Sequence, residues 1–313
     1  MVIGLSAGAL FALATVIMEI AMELPAYQAE LRVVFLAPYI SNFLQFVFSA
    51  LWLAVFLRGR ERRGEAFSCV KSGGGRMVLL SSLLGGPVGM SAYVAAVHYA
   101  GPALASAVSA LFPAVGALLA RVLLKERLRK VQVLGLSVSV TGVALLGLGY
   151  GPEGGKNVPL GFVFALICCV SWALETVLFS WGIRRTGLTL GQALLLRQTV
   201  SAAACGGIIL PLLRGWEETL SVLPDKATLY IFAGALFFTA SYLCYYRAIV
   251  TVGAAKAMAL NITYAAWSIV FSLLLLHLIP SIESVLCSVL IAGGSLAASA
   301  SKGGRETPPP GPA

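Results

Sequence analysis

Ten apolar runs, each close to the length of a bilayer crossing, leave this chain few folds to choose from. A spanning helix needs about 20 residues at a rise of about 1.5 Å each. Inside hydrocarbon every backbone N–H and C=O must find its partner within the segment, which a helix provides and an open sheet does not. The runs are 2–23, 33–57, 77–100, 102–124 and 131–149, then 160–182, 191–213, 228–250, 254–278 and 282–300. Composition agrees: with 59% hydrophobic and 11% charged residues, the chain has too little charge to cover a soluble globule, in which about a quarter of residues are charged. The expected fold class is an all-α membrane protein of ten transmembrane helices. No basic n-region or clear cleavage site surrounds the first run, so it is expected to stay as a helix rather than be removed as a signal peptide.

Charge placement sets the expected orientation. With the N-terminus in the cytoplasm, alternate inner loops and the tail hold fourteen Lys and Arg, while the outer loops hold four, Arg32, Lys156, Arg214 and Lys226. Four more, Arg121, Arg197, Arg247 and Lys256, lie within helices toward the inner ends. The net charge of +9 thus reads as membrane orientation and not as a nucleic-acid surface. A cell membrane, inner or plasma, with both termini cytoplasmic is the expected location.

The chain also repeats itself. Shifted by 152 residues without a gap, the segment 101–149 falls on the segment from Gly253 onward, so that Gly101/Gly253, Ala105/Ala257, Leu124/Leu276 and Gly142/Gly294 coincide, with Tyr93/Tyr245 in register upstream. Residues 1–149 and 160–300 are the two expected repeats, joined by a Gly- and Pro-rich extracytoplasmic linker at 150–159 and followed by a disordered cytoplasmic tail at 301–313. Five helices per repeat is an odd number, so the second repeat must enter the membrane the other way up. The basic hinge 125–130 and its counterpart 277–282, which has no Lys or Arg, then face opposite sides. Inverted repeats of this kind place two related gates about a midplane site in many secondary transporters.

The run Ala105-Ser-Ala-Val-Ser-Ala-Leu-Phe-Pro113 leads into Leu123-Leu-Lys-Glu-Arg-Leu128, and Gly135 to Gly142 follows. Together with Ser171-Trp-Ala-Leu174, Tyr245-Tyr-Arg-Ala248 and the run to Gly294, it resembles the EamA-type transporters of the drug/metabolite transporter superfamily. The resemblance spans residues 2 to about 300. It implies ten-helix carriers of two inverted five-helix repeats, with helices one, three, four, six, eight and nine around a central cavity and five and ten at the periphery. It further implies export of amino acids or related metabolites across a bacterial inner membrane. The acidic residue usual after the ninth helix is absent, since Leu278 stands opposite Glu126.

Several residues are candidates for a substrate pathway. Glu175 and Arg197 lie about 12 and 10 Å from the inner ends of the sixth and seventh helices at 1.5 Å per residue. Charges at that depth need a partner or water, so the two are expected to face each other or share a hydrated cavity, as a static ion pair or as a coupling site. Glu19, toward the outer end of the first helix, either reaches the outer headgroup water or lines an outer vestibule. Ser109 and Asn261, paired by the repeat, offer hydrogen-bonding groups to a ligand or to a neighbouring helix. Lys256 stands where the first repeat has Leu104, near the cytoplasmic mouth, where it snorkels or attracts an anionic group. The rings Tyr93, Phe112, Trp172, Tyr242, Tyr245, Tyr246, Tyr264 and Trp267 would suit a partly apolar solute or fill the core. Pro87 and Pro113 break helices three and four, and carbonyls freed at such breaks are tolerated only beside protein or water, which marks a cavity.

Other chemistry is not signalled. Five of the six cysteines sit in apolar runs without a CxxC pair, His98 and His277 lack ligand company, and no metal or cofactor is expected. Gly4-Leu-Ser-Ala-Gly8 fits the serine-hydrolase elbow in letters only, because a membrane helix provides neither the strand-to-helix turn nor a base. The same glycines, with Gly85 and Gly89, read as close helix contacts. No P-loop is present, so energy must come from gradients or a partner chain. The function expected is a secondary transporter, not an enzyme, moving small organic metabolites such as amino acids by alternating access. A facilitator or channel is the nearer alternative, and a membrane enzyme or scaffold the more distant one. Beyond solute and lipid, the expected partner is a second copy, through helices five and ten.

Overall fold

The computed structural model describes residues 2–57, 69–100, 105, 108–109, 111–124, 129–148, 157–277 and 282–300. Among these every regular element is helical. Seven helices are long and apolar enough to cross a membrane: α1 (Val2–Glu23), α2 (Leu31–Phe56), α3 (Gly73–Ala100), α6 (Val158–Ile183), α7 (Leu190–Leu212), α8 (Lys226–Val252) and α9 (Ala254–Leu276). Three apolar helices are shorter: α4 (Phe112–Leu123), α5 (Lys130–Leu148) and α10 (Ile282–Ala300). Short helices Pro25–Gln28 and Trp216–Val222, which periodicity does not announce, lie between α1 and α2 and between α7 and α8. Most of the hinge 125–130, most of the linker 150–159 and the tail 301–313 lie outside the described residues.

Local chemistry explains the helix ends. Ser72 Oγ accepts from Gly75 N at 3.0 Å, so α3 starts four residues before its apolar run. Thr189 and Gln192 form a reciprocal capping box on α7. Asn157 Oδ1 accepts from Leu160 N at 3.2 Å, so α6 starts at Val158, within the last residues of the expected linker. Between α8 and α9 the chain turns on Gly253, whose φ of 89° is open to glycine and strained for any side chain.

Three of the helices are irregular where the sequence pattern reads straight through. In α3 and α7 the stretches Leu84–Val88 and Cys205–Ile209 widen into π turns, one containing Pro87 and the other just ahead of Pro211. Proline has no N–H to give the carbonyl four residues back and its ring crowds that turn, so the hydrogen-bond ladder loosens there. In α9 the helix breaks at Ile262 and Thr263 into Ala254–Asn261 and Tyr264–Leu276.

Glycine decides which helices touch. Gly4 and Gly8 of α1 lie on Leu260 and on the break in α9, where a methyl on Gly8 would meet Thr263 Oγ1 at 2.6 Å. Gly74 and Gly182 bring the start of α3 against the end of α6, while Gly161 meets Ala100 at their other ends, so these helices run antiparallel. Gly135 meets Gly294 and Ala298, and Gly142 meets Cys287 and Ile291, which makes α5 and α10 an antiparallel pair. Small residues at such contacts let backbones approach and replace the hydrophobic drive that lipid does not supply. At one end of the bundle Arg32 pairs with Glu218 and donates to Arg214 O at 2.9 Å, tying the start of α2 to the α7–α8 connection. Val122, Leu134 and Leu212 stand exposed on the outside, which suits a chain whose surroundings at that level are acyl chains.

Candidate functional site

The π turn in α3 is the origin of the central cluster. Gly89 N–H bonds back to Leu84 O and Gly86 O and bypasses Gly85 O. The bypassed carbonyl accepts from Trp172 Nε1 on α6 at 3.2 Å. The second π turn is closed in the same way, Trp216 Nε1 donating to Gly206 O at 3.1 Å. Each loosened turn thus presents a glycine carbonyl to an indole, the satisfaction a buried carbonyl needs in a membrane. Glycine is needed here for room: a methyl on Gly85 would overlap the Glu175 carboxylate, one on Gly86 would sit 2.6 Å from Ser201 Oγ, and one on Gly89 would sit 2.7 Å from Trp172 Nε1.

One helical turn beyond Trp172 lies Glu175. Its Oε1 accepts from Arg197 Nε at 2.7 Å and Tyr246 OH at 2.6 Å, and also from the Arg197 NH2 group. Both members of the ion pair are buried, Arg197 at 2% and Glu175 at 7% relative exposure, so the desolvation of two charges is offset only by contacts as close as these. Arg197 NH1 donates to Gln198 Oε1 at 2.9 Å, and its guanidinium lies 4.6 Å from the centre of the Tyr242 ring. Thr176 Oγ1 and Tyr245 OH share a hydrogen bond of 3.1 Å beside it. The cluster joins α6, α7 and α8, with α3 closing one side.

Rings extend from the cluster in two directions. Trp172 stacks on Tyr93 at 5.8 Å and meets Phe112 edge-on at 5.9 Å. From Tyr246 the contacts run through Tyr242 to Phe238, Phe11 and Tyr264, each neighbouring pair between 5.0 and 6.3 Å.

At the break in α9, Asn261 is buried and its Oδ1 has no hydrogen-bond partner among the described residues. The first half of α9 packs against α1 through Gly4 and Gly8, and against α4 and α6 where Met258 meets Gly116 close to Ala173. A bare acceptor at the meeting of four helices is costly unless something occupies it part of the time.

Of the candidate residues, Glu175, Arg197, Trp172, Tyr93 and Tyr245 belong to one connected network, and Tyr264 lies at the far end of the ring chain. Asn261 is buried three residues before Tyr264, Ser109 is buried, and Pro113 sits in the first turn of α4. Glu19 stands apart, exposed on α1. Trp267 is exposed and stacks on Phe271 of its own helix, outside the centre. Spacing alone did not single out Tyr246 as a ligand of Glu175, nor Phe11 and Phe238 as links between rings. For Tyr246 a signal existed in the repeated tyrosine at 245–246, for the phenylalanines none. The spacing of Gly85 and Gly89 marks a helix contact but not the contact of Gly85 with Glu175.

Set beside known proteins, the chain matches the EamA-like transporter family over residues 1–148 and 159–300. Protein LicB of Haemophilus influenzae is 35% identical to it over 218 residues, 69% of this chain and 72% of that protein. A solved crystal structure with 19% identity covers 96% of this chain and is itself covered to 96%, with a TM-score of 0.65, a likeness of fold.

Proposed function

The chain belongs to the EamA-like transporter family, which makes it a multi-pass membrane protein and suggests a transporter of the drug/metabolite superfamily; on that premise we propose a secondary transporter that exports small organic metabolites such as amino acids by alternating access. It works in the cell membrane with both termini in the cytoplasm. The two repeats are related by a two-fold axis in the membrane plane. Support for that symmetry lies in the α5–α10 contact, because the 152-residue shift turns Gly135 into Cys287 and Gly142 into Gly294. The contacts Gly135–Gly294 and Gly142–Cys287 are therefore exchanged by the shift, and Ser139 Oγ donates at 3.1 Å to the carbonyl of Ile291, its own repeat equivalent. A two-fold axis through an antiparallel helix pair produces such a self-complementary contact. The same two helices present Leu134 and Leu286 outward, and a homodimer through that face remains part of the proposal.

The observation that carries the solute site is Asn261 Oδ1, a buried acceptor without a partner among the described residues, at a helix break between α1, α4 and α6. A solute bearing an N–H or O–H donor satisfies it, and the Trp172 and Tyr264 ring systems cover the apolar part of such a molecule. Once the solute leaves, the acceptor favours the arrangement in which water reaches it, so binding and the exchange of open sides are linked.

Counterflow in proteoliposomes loaded with neutral, aromatic or cationic amino acids, with and without a pH gradient, tests this reading. Labelled amino acid is expected to accumulate. Asn261→Leu is expected to cut that accumulation about tenfold, the equivalent of one lost hydrogen bond of about 1.4 kcal/mol, with the melting temperature unchanged. Loss of the pH response in Glu175→Gln would assign coupling to that carboxylate, and an unaltered response leaves it the role of a pin. Accumulation that survives Asn261→Leu undiminished removes Asn261 from the pathway. Uptake that never rises above equilibration with a counter-solute present indicates a facilitator or channel instead of a carrier.

A further inference from the structure

Away from the ring-lined centre, α4, α5, α9 and α10 enclose a pocket of about 180 Å³. Its lining is mainly apolar, with Ala117, Leu136 and Ala259 typical, and its polar members include Gln132 and Lys256. Leu118 and Val133, at its edge, are exposed on the outer face of the bundle, so the pocket opens toward the bilayer. A dry cavity of about 150 Å³ takes a benzene-sized guest. This one has room for a segment of acyl chain.

Charge gathers at one end of the pocket. On α4 Arg121 follows Ala117 and Leu118 at i+4 and i+3, so it continues the lining stripe toward the end of that helix. At the start of α5, Arg129 just before the helix and Lys130 as its first residue precede Val133 by four and three residues, and both are exposed, as is Arg121. Lys256, in the first turn of α9, belongs to the lining itself. An apolar slot open to lipid with four cations at one mouth matches one kind of molecule in shape and in charge.

We propose that this pocket binds an anionic phospholipid, with one acyl chain along the slot between α4, α5, α9 and α10 and the headgroup phosphate held by Lys256 with Arg121, Arg129 and Lys130 around it. The inference needs only the membrane placement and is independent of the solute site. Because the lipid bridges the α4–α5 pair to the α9–α10 pair, its occupancy favours arrangements in which those pairs stay together. Anionic lipid in the leaflet at that end is then a ligand of the protein and not only its solvent.

Native mass spectrometry of the full chain, released from detergent after incubation with phosphatidylglycerol or phosphatidylcholine of matched chains, is the test. One phosphatidylglycerol per chain is expected to remain bound in about tenfold preference to phosphatidylcholine. Lys256→Gln combined with Arg121→Gln is expected to abolish the preference. Ser137→Phe, which fills the slot from an exposed position without changing charge, is expected to reduce retention of both lipids. Glycerol phosphate, which has the headgroup chemistry without chains, is expected not to compete at concentrations that saturate the lipid. Equal retention of the two lipids overturns the proposal. So does full retention in Ser137→Phe, which would reveal a diffuse basic belt and no slot, or a two-chain species without lipid that forms only when the slot is unfilled, which would mean a second copy covers this face.

Discussion

Arg197→Met is expected to destabilise the protein by about 3–5 kcal/mol, because it leaves the Glu175 carboxylate buried with Tyr246 as its remaining hydrogen-bond donor among the described residues. In the native protein Glu175 Oε1 receives three hydrogen bonds, two of them from a guanidinium that is itself 2% exposed. Both charges are buried. Methionine fills similar space and removes the balancing charge, so the loss falls on the pairing and not on packing. The reciprocal change follows from the same physics: Glu175→Gln with Arg197→Met removes both charges, and most of the lost stability is expected to return. Thermal unfolding in detergent, followed by the protein's own tryptophan fluorescence, reads both effects. A melting temperature unchanged in Arg197→Met would mean that the pair contributes nothing to holding α6, α7 and α8 together. An equal loss in the single and double variants would mean the packing of Arg197, and not its charge, is what matters.

Gly85→Ala tests the same cluster from its other side. An added methyl would overlap the Glu175 carboxylate, and that carboxylate cannot swing away without giving up Arg197 and Tyr246. Overpacking of a filled site typically costs about 1–3 kcal/mol, and here the clash also breaks charged hydrogen bonds, so the upper part of that range is expected. The diagnostic is a double-mutant cycle. In a Glu175→Ala background the methyl meets no carboxylate, and Gly85→Ala is expected to cost less than half as much as in the native chain. Independent, additive losses would place the sensitivity of Gly85 in the π turn itself and not in its contact with Glu175. Since Trp172 donates to the Gly85 carbonyl, the tryptophan emission is expected to shift in Gly85→Ala as well.

Much of this protein can be read one residue at a time. Apolar runs of bilayer length announced the seven long helices to within a few residues, because burial in lipid leaves one way to satisfy a backbone. Depth along two helices paired Glu175 with Arg197, since a charge that far from water must have an opposite charge or a cavity beside it. What the sequence leaves open is geometric. Pro87 signals a loosened helix but not that Trp172 would take the carbonyl it frees, because that depends on which helix lies opposite. Tyr246 and Tyr245 are neighbours in the chain, yet they serve Glu175 and Thr176 respectively, a split set by the rotation of α8.

By itself the sequence determined that the chain is helical and belongs in a membrane, because both follow from the chemistry of the solvent that the apolar runs require. Only the tertiary structure decided which faces meet. It set Gly85 under a carboxylate, left the Oδ1 of Asn261 without a partner among the described residues, and opened an apolar slot beside Lys256. Those outcomes depend on distances between residues far apart in sequence, and the packing of small residues between helices, which one-dimensional periodicity does not encode, determines them.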